Sequence, residues 1–93
     1  ESIQRAVAEH YDIRLADMSS KRRPRAVAMP RQVAMYLCRR MTRSSLPDIA
    51  NAFGKTHATI LHAYRTIDGR MEANPALRQA VTDISKKLGK PLA

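Results

Sequence analysis

SLPDIANAFGKTHATILHAYRTI, from Ser45 to Ile67, holds in order the signals of a short helix, a Gly-centred turn and a longer helix. Ser45 is a good N-cap, Pro47 sits in the first turn where its missing N–H costs little, and Asp48 falls three residues after the cap as in a capping box. The first helix therefore starts near Leu46. Gly54 can take the left-handed conformation that ends it, and Thr56 is a second N-cap from which the chain restarts. That order is the pattern of a helix-turn-helix.

The apolar residues fit this geometry. Ile49, Ala50 and Phe53 make one face of the short helix, while Ile60, Leu61, Tyr64, Ile67 and Met71 recur at helical spacing on the long one. Two helices joined by so tight a turn cross closely, and Ala50 is small enough to let the second backbone approach. Thr56, His57, Ala58, Thr59 and His62 fall off the apolar stripe near the start of the second helix. A recognition helix offers those positions to the major groove of DNA. An αα-hairpin that merely fills a core would share the apolar pattern, and this stretch by itself leaves both readings open.

Charge narrows the choice. Seventeen Lys plus Arg against eight Asp plus Glu give +9 over 93 residues, with a pI near 10.6. Such a balance favours a polyanionic partner, nucleic acid first and an anionic membrane surface second. The longest apolar runs are a few residues, too short to span a bilayer. A 44% apolar content with one Phe and no Trp fits a single small helical domain over residues 1–93. Cys38, alone, can form no internal disulfide and reads as a small buried or half-buried apolar residue. With no secretory signal at the N-terminus the expected location is cytoplasmic, and a nucleic-acid partner would make it nucleoid-associated. The chain begins at Glu1 without Met, as expected of an excised part of something longer.

Taken in order, residues 2–11 form a first amphipathic helix through Ile3, Ala6, Val7 and His10 or Tyr11, broken at Asp12-Ile13. Residues 14–19 make a short second helix with Leu15 and Met18 inward. Ser20 to Arg25, SKRRPR, packs four cations and a Pro into six residues, an exposed loop that is either a solvated charge run or, beside a helix-turn-helix, suited to lie along phosphates or send an Arg into a minor groove. A third helix is expected from Met29 or Pro30 to Thr42, with Val33, Tyr36, Leu37 and Met41 buried. Arg31 and Gln32 would then sit in its opening turn, where exposed amides and the helix dipole favour a phosphate. Arg39, Arg40 and Arg43 read as charges complementing the far helix end. The long helix continues to about Glu72 despite Gly69. Asn74-Pro75 starts a last helix, Ala76 to Leu88, carrying Leu77, Val81, Ile84 and Leu88, before a tail with Lys86, Lys87 and Lys90. The expected fold is all-α, about six helices around a helix-turn-helix preceded by a basic loop.

Other chemistries find no support. Gly54-Lys55-Thr56 resembles the end of a P-loop, but that motif needs a Gly five residues earlier and a preceding strand, and position 49 is Ile in a helix. His57 and His62 are five residues apart, about 140° around a helix, with no Cys or carboxylate at ligand spacing. No nucleophilic set or carboxylate pair can be assembled, so no catalytic residue, metal or cofactor is expected in this segment. The histidines serve better as groove contacts, hydrogen-bonding a base or phosphate.

Four stretches together, IQRAVAEHYDIRLADM, SKRRPRAVAMPRQVAMYL, SLPDIANAFG and the HATILHAYRTI that follows FGKT, resemble the C-terminal DNA-binding domain of the bacterial replication-initiator family DnaA. The resemblance runs in unbroken order from about Ser2 to Ile67, with helical character alone beyond. It implies a monomeric domain that binds a short asymmetric duplex element, the DnaA box, repeated at the replication origin. It also implies that Arg23, with Lys21, Arg22 and Arg25 beside it, enters the minor groove. Phosphate contacts carry over to Arg31, Gln32, Leu46, Pro47, Lys55, Thr59 and His62, the Leu and Pro through helix-start backbone. Base contacts carry over to Arg23 in the minor groove and to Thr56, His57 and Ala58 in the major groove.

Three departures stand out. The family's usual Gly-Gly-Arg-Asp-His is here Gly54-Lys55-Thr56-His57, one residue shorter, with Thr56 where an Asp can accept from a cytosine amino group. Ala58 replaces a common Thr, and Met29 a common basic residue before Pro30. The resemblance further implies that ATP binding and contacts between initiator copies belong to modules outside this segment, and that a small regulatory protein docks on such domains. Two rivals share the sequence features: a basic module docking on acidic proteins or anionic lipid, and a fragment of a transcriptional repressor using the same hairpin.

Overall fold

The computed structural model describes residues 2–19 and 25–89, and of Arg25 the backbone. Helix α1 (Ser2–Tyr11) buries Ile3, Ala6, Val7 and Ala8. It ends where Asp12 turns left-handed at φ 55°, with Asp12 N–H donating to the Glu9 carbonyl at 3.3 Å and Ile13 N–H to that of Ala8 at 2.9 Å. Those bonds satisfy carbonyls the helix end would otherwise leave open. A short 3-10 helix, Leu15–Met18, follows. The Asp17 carboxylate accepts from Arg14 N–H at 3.2 Å, and Met18 is driven fully into the core.

Helix α2 (Arg25–Met41) is the central element and packs against every other one. It starts at Arg25, four or five residues before the expected start, so Arg25 belongs to the helix and not to the loop. Pro30 is inside the helix. A proline there removes one bond, to the Ala26 carbonyl, which lies close enough to the helix start to be tolerated. Val27 is buried, so the added turn is held by packing that a Pro-based reading of the helix start misses.

Helices α3 (Leu46–Phe53) and α4 (His57–Ala73) form the expected helix-turn-helix, and α5 (Pro75–Lys87) closes the core against α1, α2 and α4. Ser45 Oγ accepts from Asp48 N–H at 3.2 Å. Asn74 Oδ1 accepts from Leu77 N–H at 3.1 Å, which starts α5 as the Asn-Pro signal predicts. The largest helix interface joins α2 and α4. Val33, Leu37, Phe53, Ile60, Ile67, Val81 and Ile84 are completely buried, each burial stabilising by roughly 1.5–3 kcal/mol. Ala34, Ala50 and Ala63 are buried beside them, small residues that allow close helix crossings.

The ring of Tyr36 stacks on Tyr64 with centroids 5.0 Å apart. Its hydroxyl accepts from Arg40 Nη1 at 2.9 Å, so Arg40 has work inside the protein besides complementing the helix end. Cys38 is half-buried, as expected. Among the described residues there is no strand, and the all-α architecture has five α-helices and one 3-10 helix where about six helices were expected.

Candidate nucleic-acid interface

Three residues, Gly54, Lys55 and Thr56, carry the chain from α3 to α4. Gly54 is left-handed at φ 64°, ψ 37°, the conformation for which its missing Cβ suits it. Gly54 N–H donates to the Asn51 carbonyl at 3.2 Å and Lys55 N–H to that of Ala50 at 2.9 Å, closing the end of α3. Thr56 then caps α4: its Oγ1 accepts from Thr59 N–H at 3.3 Å and lies 3.0 Å from Thr59 Oγ1.

The consequence is that α4 begins clear of the core. Ile60, Ala63 and Ile67 face inward, and Thr56, His57, Ala58, Thr59 and His62 are all exposed. His62 Nε2 lies 3.4 Å from Thr66 Oγ1, one turn further along the same face. A helix start with exposed amides and the positive end of its dipole favours an anionic partner.

Beside this start, α2 and α4 enclose a cleft of about 250 Å³. Arg31 and Gln32 enter it from α2, Lys55 from the turn, and Thr59 and His62 from α4, with Ala28, Met35 and Ala63 as its apolar walls. Five candidate phosphate contacts, 31 residues apart at the extremes of the chain segment, thus meet in one place. The apolar walls were not singled out from the sequence. Their signal is the small residue at positions 28 and 63, where two helices come close.

Arg31 departs from its expected setting. It and Gln32 lie in the second turn of α2, so the clamp of opening-turn amides does not form, because the helix begins at Arg25. Arg31 is 7% exposed, and its Nε donates to the Asp17 carbonyl at 2.6 Å. The guanidinium therefore ties α2 to the 3-10 helix while lining the cleft. Ser19 directly follows the 3-10 helix, and Arg25 is the first residue of α2. Lys21, Arg22 and Arg23 lie outside the described residues, as does the side chain of Arg25.

At the start of α3, Leu46 is half-buried and Pro47 exposed. Pro47 has no N–H and Asp48 N–H is taken by Ser45, which leaves the Leu46 amide as the group directed out of the helix end. Exposed Asp48 in the same turn opposes an anion there, so this helix start is less favourable to one than the start of α4. Among the described residues, no group of three or more His, Cys, Asp or Glu could hold a metal ion, and no helix is long and apolar enough to cross a membrane.

Residues 1–67 match the family described as the bacterial dnaA protein helix-turn-helix. The chain belongs to that family. It is 52% identical over 89 residues to the chromosomal replication initiator protein DnaA of Methylacidiphilum infernorum (isolate V4), a match covering 95% of this chain and 20% of that protein. The DnaA proteins of Leptothrix cholodnii and Methylibium petroleiphilum are 47% and 46% identical over 89 residues, covering 95% of this chain and 18% and 19% of those proteins. The chain thus spans about a fifth of the length of these relatives. The matches extend past Ile67, where the sequence reading found helical character alone. As a DnaA helix-turn-helix, the segment is a DNA-binding unit and not a catalytic one.

Proposed function

We propose that this domain recognises DnaA-box-type duplex elements at a replication origin, with α4 in the major groove and Arg23 of the basic loop in the neighbouring minor groove. In this reading His57, Ala58 and Thr56 face base edges. Arg31, Gln32, Lys55, Thr59 and His62 hold phosphates along the cleft, the Leu46 amide and Pro47 add the weaker position at the α3 start, and Lys21, Arg22 and Arg25 hold the backbone beside the minor groove. The domain acts as a monomer in the cytoplasm at the nucleoid. Contacts between initiator copies, and any ATP, belong to other modules of the initiator.

One observation carries the reading: the exposed first turn of α4 adjoins a cleft in which cationic and hydrogen-bonding side chains from α2 and α4 converge. Base readers and phosphate holders must be neighbours for a helix to be both positioned and specific. The test is fluorescence anisotropy against a DnaA box, a scrambled duplex and anionic vesicles, over about 50 to 200 mM salt. The reading expects box binding well above scrambled binding, both falling steeply with salt, and vesicles weakest. Equal affinity for the two duplexes, or tighter binding to vesicles, contradicts it.

A further inference from the structure

The start of α4 carries a pair of coupled hydroxyls whose polarity is not settled by the protein itself. Thr56 Oγ1 accepts from Thr59 N–H at 3.3 Å and lies 3.0 Å from Thr59 Oγ1, an arrangement in which either hydroxyl can donate. Both side chains are exposed. A hydroxyl has one proton and two lone pairs. If Thr59 donates to Thr56, both Thr56 lone pairs are occupied, and Thr56 presents a proton outward, fit for a base acceptor. If Thr56 donates to Thr59, Thr56 presents a lone pair outward, fit for a base amino group.

We infer that the DNA backbone makes this choice: a phosphate held by Thr59 turns Thr56 into an obligate acceptor, so that Thr56 selects a cytosine or adenine amino group. A phosphate oxygen takes no hydrogen bond except as acceptor, so Thr59 must spend its proton on it. Thr59 then has lone pairs alone for Thr56, and the Thr56 proton is committed to it. The result is a chain of donors running from base N–H to Thr56, from Thr56 to Thr59, and from Thr59 to phosphate, each bond polarising the next. A neutral hydroxyl thereby presents the same acceptor face as a carboxylate, without a carboxylate's repulsion of nearby phosphates. The inference rests on the duplex-binding reading above.

The conservative variant Thr59→Val tests it. Valine keeps the shape and the backbone N–H that Thr56 caps, but frees the Thr56 proton, so Thr56 can donate or accept. Binding is measured with duplexes in which one base at a time has its exocyclic amine exchanged for a carbonyl acceptor, hypoxanthine replacing adenine and uracil replacing cytosine, each with its pairing partner; a Thr56 free to reverse can donate to the carbonyl, whereas an obligate acceptor cannot. The wild-type chain should lose about fivefold to tenfold at one such base, Thr59→Ser should lose the same, and Thr59→Val less than about twofold. An equal loss in Thr59→Val, or no amine-sensitive base in the wild type, overturns the inference. Neither result bears on the wild-type preference for box over scrambled duplex, and loss of that preference overturns the duplex reading itself.

Discussion

Replacing Arg31 by Met retains most of the aliphatic stem and removes the guanidinium, which separates charge from packing. The side chain is 7% exposed, with Nε 2.6 Å from the Asp17 carbonyl. A hydrogen bond from a charged donor contributes about 1.5–3 kcal/mol, and its loss leaves the carbonyl without that partner. For a chain of this size each kcal/mol shifts the melting temperature by about 4–8 °C, so a fall of roughly 10 °C is expected in thermal denaturation followed by circular dichroism. Because Arg31 also lines the cleft, Arg31→Met should weaken box and scrambled duplex alike. It should also reduce the slope of log affinity against log salt by about one. An unchanged melting temperature refutes the tie to Asp17, and an unchanged slope refutes the phosphate role.

Three other outcomes follow from local geometry. Gly69 sits inside α4, exposed, with nothing within 4 Å of where a Cβ would lie, so Gly69→Ala should stabilise by up to about 1 kcal/mol in urea denaturation. Asp12 is the described non-Gly residue with positive φ, at 55°, and Asp12→Gly should raise stability by about 0.5–1 kcal/mol by removing left-handed strain. Burial pushes the Cys38 thiol up from 9.0 to about 11. The folded state therefore holds its proton more tightly than the unfolded chain, and the stability this confers is complete below pH 9 and falls as pH rises toward about 11. At mildly alkaline pH, iodoacetamide should modify Cys38 much faster in urea than in the native protein.

Legibility followed the range of the interactions. The caps at Ser45, Thr56 and Asn74 and the left-handed Gly54 are set by a residue and neighbours three or four positions away, so the hairpin and the start of α5 could be read directly. The start of α2 could not, because Pro30 fits both a first turn and, with the Ala26 carbonyl near the end, a helix interior. Tertiary burial of Val27 decides between them. Arg31 was legible as a cation near phosphate candidates, but its burial depends on a carbonyl 14 residues away. The outward face of α4 was legible because Ile60 and Ile67 fix the inward one. The cleft was not, since it needs α2 and the turn to come together. The Thr56–Thr59 hydroxyl pair lies at i, i+3, but its 3.0 Å approach depends on the side-chain rotamers of both residues, which spacing alone does not fix.

The central claim is that the first turn of α4 reads bases while the basic loop reads the adjacent groove, and the ratio of box to scrambled affinity tests it most directly. His57→Ala and Arg23→Ala should each lower that ratio by about 1–3 kcal/mol, roughly fivefold to more than a hundredfold. Scrambled-duplex affinity should fall little for His57→Ala and by about one phosphate contact at most for Arg23→Ala. Equal losses on both duplexes would contradict the account, since neither residue would then distinguish one sequence from another.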